Sequence, residues 1–420
     1  MRALGLLVLS ALLIMLSVFS AVSVSSQPQK VRVIIGFHGR PDELAVRRLG
    51  GEVRYVYTEI DAVAALLPEP ALERLRAHPR VSYVEKDAVA YIVEKPSLGG
   101  SSAQDSETVP WGISKIEAPE VWSTYGDTGA GIKVAVLDTG IDTTHPDLAA
   151  NVKGGVRYTL GWGVAYGSYK DDNGHGTHVA GTIAAVDNTI GVVGVAPRVY
   201  LYAVKVLNAQ GQGYYSDIIA GIEWAIRNKM HVGSMSFGGP DRSQAMYDVC
   251  LKAYQAGIVL VAAAGNTGGA VLYPAKFSKE HMVLSVGAIC QNDSVASWSA
   301  REWYTTDRPY VTVVAPGYMV NSTMPTYDVT LTTTYGYSRN YAELSGTSMA
   351  APHVTGTVAL MLKQSPSLIV KKKPGYYGPY TTWYVEQALT QTSWVPPGCS
   401  KPDIAYGWGI INASAAVEAS

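Results

Sequence analysis

Apolar and polar positions alternate from Lys30 onward, with Val31, Val33 and Ile35 on one face of a half-buried strand. Pro41 to Leu49 has the spacing of a short helix, Glu52 to Tyr57 and Ala62 to Leu67 read as strands, Pro68 to His78 as a second helix and Val81 to Glu85 as extended chain. The order βαββαβ within about 60 residues predicts a small ferredoxin-like α+β sandwich. Farther along, the alternation gives way to segments that are apolar throughout, separated by helical ones: Ile132 to Leu137, His175 to Val186, Val199 to Leu207, Asp217 to Asn228, Val232 to Phe237, Gln244 to Ala256, Ile258 to Ala264, Val283 to Ile289, Val311 to Ala315 and Ser348 to Lys363. Strands without a polar face imply burial on both sides, hence an α/β fold with a doubly wound, mostly parallel sheet. The helix at 217–228 fits that layering, because Ile218, Ile222 and Ala225 share one face while Glu223 and Arg227 fall elsewhere. No period of about 20–50 residues repeats, which excludes a solenoid.

Composition narrows the classes. The 420 residues are 47% hydrophobic and include 42 glycines, enough for one large core with a small appended domain. Lys and Arg number 33 against 34 Asp and Glu, so no basic field is present for nucleic acid or anionic lipid. Ala3 to Phe19 is an apolar run behind Arg2, followed by Ser20-Ala-Val-Ser-Val-Ser-Ser26, the layout of a secretory signal peptide; small residues at Ala21 and Ser23 favour cleavage over a retained membrane anchor. The expected organisation is a signal peptide at 1–26, the small domain at 27–93, a Gly- and Ser-rich linker at 94–106 with a processing site, and the large domain at 107–420. Cys250, Cys290 and Cys399 are too few for a disulfide framework.

In parallel sheets, chemistry collects at the carboxyl ends of the strands. Asp138 directly follows the strand at 132–137, His175 opens a helix between glycines in Asp171-Asp-Asn-Gly-His-Gly-Thr-His178, and Asn266 follows the strand at 258–264. Each alone reads equally well as a turn or structural residue. Ser348 alters that reading: it starts a helix, where free N–H groups can hold an oxyanion, among Gly346, Ala350 and Ala351, with Pro352 expected in the first turn where no donor is missed. A serine hydroxyl needs an imidazole to remove its proton, and the imidazole needs a carboxylate to fix its tautomer.

The order Asp, His, Ser is that of subtilisin. Asp-Thr-Gly-Ile-Asp at 138, His-Gly-Thr-His-Val-Ala-Gly at 175, Ala-Ala-Gly-Asn at 263 and Gly-Thr-Ser-Met-Ala-Ala-Pro-His at 346 together resemble the subtilisin-like serine proteases from about Glu107 to the end of the chain. The resemblance implies a secreted, monomeric endopeptidase with Ser348 as nucleophile, His175 as base and then acid, Asp138 as its orienting carboxylate and Asn266 in the oxyanion hole; His178 and His353 are structural on the same grounds. It implies that Ser236, Phe237 and Gly238 on one side and Gly211 and Gly213 on the other clamp an extended peptide substrate. Leu207, Tyr215, Ile218 and Phe237 would form an apolar pocket for the fourth residue before the cut, and Ala263, Ala264 and Gly265 the pocket beside the cut, with Leu272 at its floor where relatives carry glycine. A structural calcium ion would be held by Glu107, Asp147 and Asn188 and the carbonyls of Val186, Ile190 and Val192. The segment Val-Ser-Tyr-Val-Glu-Lys-Asp at 81 resembles the end of subtilisin propeptides, which makes the small domain a folding template and inhibitor, released by a cut between about Tyr91 and Ser106.

Two other function classes are compatible with the scaffold: a dead protease acting as a binding protein, against which every triad and oxyanion position is filled, and a serine esterase, against which the Gly-x-Ser-x-Gly elbow is missing. Zinc catalysis is disfavoured because His175 and His178 lack the HExxH pattern. The basic, tyrosine-rich stretch from Lys371 to Thr382 departs from the family pattern and reads as solvated surface.

Overall fold

The computed structural model describes residues 29–93, 106–159, 168–305, 308–370 and 380–420. The apolar leader, the linker at 94–105 and most of the Lys371 to Thr382 stretch lie outside the described residues.

The small domain runs β1 (Lys30–Phe37), α1 (Glu43–Arg48), β2 (Glu52–Val56), β3 (Ala62–Pro68), α2 (Leu72–Arg76) and β4 (Val81–Lys86). Its antiparallel sheet has the order β2-β3-β1-β4, the predicted ferredoxin-like arrangement. Because successive strand residues point to opposite faces, Val33, Ile35, Phe37, Val63, Ala65 and Leu67 pack with Val46 and Leu75 of the two helices. Ile34, Tyr55, Tyr57, Ala62 and Ala64 belong instead to a core cluster of the large domain, so the second face of the sheet is an interface and not solvated surface.

From the small domain the chain continues into β5 (Val89–Ile92) and then the large domain: β6 (Lys133–Asp138), β7 (Val152–Arg157), α3 (His175–Ala184), β8 (Tyr200–Lys205), β9 (Gln212–Tyr214), α4 (Tyr215–Arg227), β10 (Val232–Met235), β11 (Phe237–Gly238), α5 (Gln244–Gln255), β12 (Val259–Ala263), β13 (Val283–Ile289), β14 (Val313–Pro316) and α6 (Thr347–Gln364). Seven strands form one sheet in the order β14-β13-β12-β10-β6-β8-β7, every neighbouring pair parallel. Val134 and Val136 of β6 share a cluster with Val179 and Ile183 of α3 and Val354 and Val358 of α6. Ala135 and Leu137 share the other with Ile218 and Ile222 of α4 and Val249 of α5. Both pleat faces are dry, which is why these strands carry no polar alternation. Strand β7 escaped the hydrophobic pattern: Val152-Lys-Gly-Gly-Val-Arg157 has glycines where apolar side chains would signal a strand, and it lies at the sheet edge beside β8.

Acidic residues of the small domain cap helices of the large one. Asp87 accepts from the Ser216 N–H at 2.9 Å and hydroxyl at 2.8 Å and from Arg32 Nε at 2.9 Å, at the start of α4. Glu85 accepts from the N–H groups of Gln244 at 2.7 Å and Ala245 at 3.2 Å, at the start of α5. Carboxylates there satisfy helix N–H groups and meet the positive end of the dipole. Asp217 of α4 receives the Tyr55 hydroxyl at 2.7 Å, and burial pushes its carboxyl up to about 7, with Asp87 adding to the rise against the Tyr55 bond and the nearby Arg32 and Arg54.

A carboxyl whose pKa rises on burial is protonated in the folded chain and ionised in the unfolded one, between its ordinary value and about 7. Folding of the full-length chain therefore takes up a proton at Asp217, and its stability falls as pH rises through that window and is level above it. Asp217→Asn keeps the hydrogen bond and removes the charge. In a full-length Ser348→Ala background it is expected to flatten this pH dependence of thermal unfolding between pH 4 and pH 7; an unaltered dependence would contradict the assignment.

Candidate active site

Asp138 is the last residue of β6, and its side chain is fully buried at the carboxyl end of the sheet. Its Oδ1 accepts from the Thr139 N–H at 2.7 Å and lies 2.8 Å from His175 Nδ1, the first residue of α3, itself fully buried. Nδ1–H donation to a carboxylate fixes the tautomer in which Nε2 is the basic nitrogen. The loop before His175 is held by Asp171. Its Oδ1 accepts from the Thr139 hydroxyl and the N–H groups of Asn173 and Gly174, and its Oδ2 accepts from the Thr177 N–H and hydroxyl, all within 3.0 Å.

Ser348 sits in the first turn of α6, also fully buried. Its hydroxyl lies 2.9 Å from the Ser236 carbonyl, to which it donates, and it accepts from the Val93 N–H at 3.2 Å. A hydroxyl has a single hydrogen. Passing it to an imidazole therefore requires the side chain to turn away from Ser236. Pro352 is the sixth residue of α6, in the second turn and not in the first as expected, so the Ser348 carbonyl loses its intrahelical N–H partner. The Ser236 hydroxyl takes that place, donating to the Ser348 carbonyl at 2.9 Å.

Asn266 follows β12, and its Oδ1 accepts from both the N–H and the hydroxyl of Thr347 at 3.0 Å. With its oxygen so held, Nδ2 is a buried donor with no partner among the described residues. Leaving such a donor unmade is costly in a folded protein unless a ligand uses it. Thr347 was not singled out from sequence; its place directly before Ser348 was the only local signal.

The expected clamp is occupied by the chain itself. Strand β5 lies between β11 and β9, antiparallel to both, pairing Ile92 with Phe237 and Tyr91 with Gly238 on one side, and Ala90 with Gly213 on the other. The Ile92 N–H donates to the Gly211 carbonyl at 2.9 Å. A side chain at Gly213 would run into the Val206 carbonyl at 2.4 Å, so glycine lets this edge close on its neighbours. Next along, the Val93 carbonyl accepts the Ser348 N–H at 3.3 Å. Ala90 shares a fully buried cluster with Leu207, Tyr215, Ile218 and Phe237. Leu272 packs close to Gly238 and Gly265: a Cβ on either would meet it within 3.0 Å. Val93 belongs to the apolar cluster that Leu272 packs against, together with Ala263; Ala264 lies in the opposite cluster, across the pleat of the strand end.

His178 and His353 are buried and stand apart from this chemistry. His178 Nε2 donates between the Val320 and Ala342 carbonyls at 3.0 and 3.1 Å, and burial, with His175 nearby, pushes it down to about 3. His353 Nδ1 donates to the Met349 carbonyl at 2.8 Å, and burial pushes it down to about 4.

Away from the cleft, Glu107, Asp147 and Asn188 converge. Asn188 N–H donates to Glu107 Oε1 at 2.7 Å and its side-chain amide to Asp147 Oδ1 at 2.8 Å, while Asp147 Oδ2 receives the Val192 N–H and the Tyr341 hydroxyl at 3.0 and 2.9 Å. The Val186 N–H donates to the Asp147 carbonyl at 2.9 Å and the Ile190 N–H to Asn188 Oδ1 at 3.1 Å. For Val186, Ile190 and Val192, these bonds account for the amides. Among the described residues no three His, Cys, Asp or Glu side chains form a metal cluster. Two carboxylates, an amide oxygen and neighbouring carbonyls nevertheless make an all-oxygen donor set suited to calcium. Burial raises the Glu107 carboxyl, and Asp187 adds to this against the Asn188 bond. A cation would relieve that.

The model of the subtilase family matches residues 129–409. The chain belongs to the subtilase family. Among similar proteins, M-protease of Shouchella clausii (strain KSM-K16) is 42% identical over 312 residues, covering 74% of this chain and 70% of its own. Subtilisin Savinase of Lederbergia lenta is 46% identical over 263 residues, 62% of this chain and 87% of its own. Subtilisin E of Bacillus subtilis (strain 168) is 42% identical over 318 residues, 74% and 72% respectively. The subtilase described here is a serine endopeptidase with the parallel α/β fold of that family. In a subtilisin, removing one oxyanion-hole side chain costs about 10²–10³ in kcat. Asn266→Ala in this subtilase is expected to lower kcat on that scale with KM little changed, measured on a chromogenic peptide. A loss confined to KM would remove Asn266 from the oxyanion hole.

Proposed function

We propose that this subtilase is a secreted, monomeric endopeptidase made as a self-processing proenzyme, with 27–93 as propeptide and Val93–Glu94 as the bond that it cuts in itself. The observation carrying this reading is β5, seated antiparallel between β9 and β11 with the Val93 carbonyl on the Ser348 N–H. An extended peptide paired on both edges is bound as a substrate would be. Ser348 Oγ attacks the carbonyl carbon as His175 Nε2 takes its proton, and Asp138 holds the imidazolium. The oxyanion forms against Asn266 Nδ2 and the Ser348 N–H; collapse expels the amine, which takes the proton back from His175, and water then repeats the sequence on the acyl-enzyme. Remaining docked after the cut, β5 blocks the cleft until the small domain is removed.

Counting back from Val93, Ala90 occupies the pocket of Leu207, Tyr215, Ile218 and Phe237, which favours an apolar residue four places before the cut. Leu272, packed against the glycines at 238 and 265, makes the pocket beside the cut shallow. In matched peptides, cleavage after Ala, Val or Leu is expected to outrun cleavage after Phe, and the reverse order would refute the shallow pocket.

The experiment for self-processing is N-terminal sequencing. The mature product should begin Glu94-Lys-Pro-Ser, and purified Ser348→Ala should persist at full length. Another start, or normal maturation of that variant in isolation, would overturn the reading.

Glu107, Asp147 and Asn188 would hold a structural calcium ion with help from carbonyls of Val186, Ile190 and Val192, and the ion would tie the segment after the linker to the large domain. Binding only to the folded state stabilises it by about 2.7 kcal/mol at a hundredfold excess over Kd. Chelation is expected to lower Tm by several degrees in the wild type and far less in Asp147→Ala; equal losses would exclude this site.

A further inference from the structure

Lys205 ends β8 with 1% of its surface exposed, the largest charged side chain buried among the described residues. An ammonium has three N–H donors, and a buried one must use them all. Here they go to the Thr139 carbonyl, the Leu207 carbonyl at 3.0 Å and Asp172 Oδ1 at 2.6 Å. The three acceptors lie on three separate parts of the active site. Thr139 follows Asp138, Leu207 lines the apolar pocket, and Asp172 belongs to the loop that delivers His175. The parallel register of β6 and β8 makes Asp138 and Lys205 partners, so both side chains leave the same face at the same end of the sheet. The Asp138 carbonyl in turn accepts the N–H groups of Val206 and Leu207 at 2.9 and 3.1 Å.

We propose that Lys205 is a positioning residue for peptide hydrolysis: one buried cation that clamps the Asp138 turn to the His175 loop and keeps the imidazole in its basic form. The proposal rests on His175 being the general base. Around the imidazole, Asp138 on β6 binds Nδ1 at 2.8 Å and His178 lies one turn farther along α3, with His353 of α6 beyond it; Asp171 and Asp172 sit on the loop directly before His175, and Lys205 on β8 is the register partner of Asp138. The two neighbouring histidines are neutral through burial, and the Asp171 carboxylate is saturated by five donors. Among the described residues of this cluster, Lys205 is the positive charge that opposes the carboxylates, which favour imidazolium.

Removing the charge stabilises imidazolium, so the acid limb of the kcat/KM profile moves to higher pH. For Lys205→Met, matured from the full chain, the acid midpoint is expected to rise by about half a unit to one unit. With the clamp loosened, kcat should fall about tenfold or more at nearly constant KM. Lys205→Arg, which restores charge with different reach, is expected to return the midpoint toward wild type. A folded Lys205→Met with wild-type midpoint and wild-type kcat would overturn the proposal. Should that variant not fold, Asp172→Asn tests the clamp from its half-exposed end: loss of kcat at constant KM supports it, and unchanged kcat overturns it. A wild-type profile with no acid limb, or activity retained in His175→Ala, would defeat the base assignment itself and is told apart by appearing before any change at Lys205.

Discussion

A carboxylate with no exposed surface needs donors in place of the water it has lost, and at Asp138 the Thr139 N–H and the His175 ring both supply them to Oδ1. That requirement organises the centre of the molecule. β6 must end at residue 138, α3 must begin at residue 175 and the loop between must bring the ring within 2.8 Å of the carboxylate. Asp171 meets part of the demand by binding the Thr139 hydroxyl on one side and the first turn of α3 on the other. Burial strengthens each of these bonds, because competing water is excluded and the local dielectric is low.

The same logic explains the geometry around the nucleophile. Proline in the second turn of α6 frees a carbonyl, Ser236 satisfies it, and the Ser236 carbonyl in return accepts the Ser348 hydroxyl. The strand end that carries Ser236 is thereby fixed against the helix start that carries Ser348, and β11, the next element, forms one wall of the peptide clamp. Catalytic geometry and substrate binding share their supports, so the cleft is stiff where the chemistry occurs. The small domain uses this stiffness: its acidic residues sit on the starts of α4 and α5, its second sheet face covers them, and β5 extends from that anchorage into the cleft.

Much of this was legible in the chain. Apolar strands without alternation announced the buried parallel sheet, and β1 to β4 with their helices announced the sandwich, because a 2.0 or 3.6 period is a local property that survives without knowledge of the fold. The limits are equally specific. Val152-Lys-Gly-Gly-Val-Arg157 carries too few apolar residues to reveal an edge strand. β5 is short, and what makes it a strand is pairing with β9 and β11, more than a hundred positions away.

By itself, then, the sequence determined the order of elements, the two-sided burial of the sheet, and which residue types stand at the ends of its strands, since these follow from periodicity and from the chemistry of neighbours along the chain. Tertiary structure alone decided which of those residues meet. The bond from Val93 to Ser348 spans 255 positions, that from Ser348 to Ser236 spans 112, and that from Thr347 to Asn266 spans 81. No local preference encodes such contacts. They exist because the packed layers bring polar atoms that are far apart along the chain within hydrogen-bonding reach in a site where water cannot serve them.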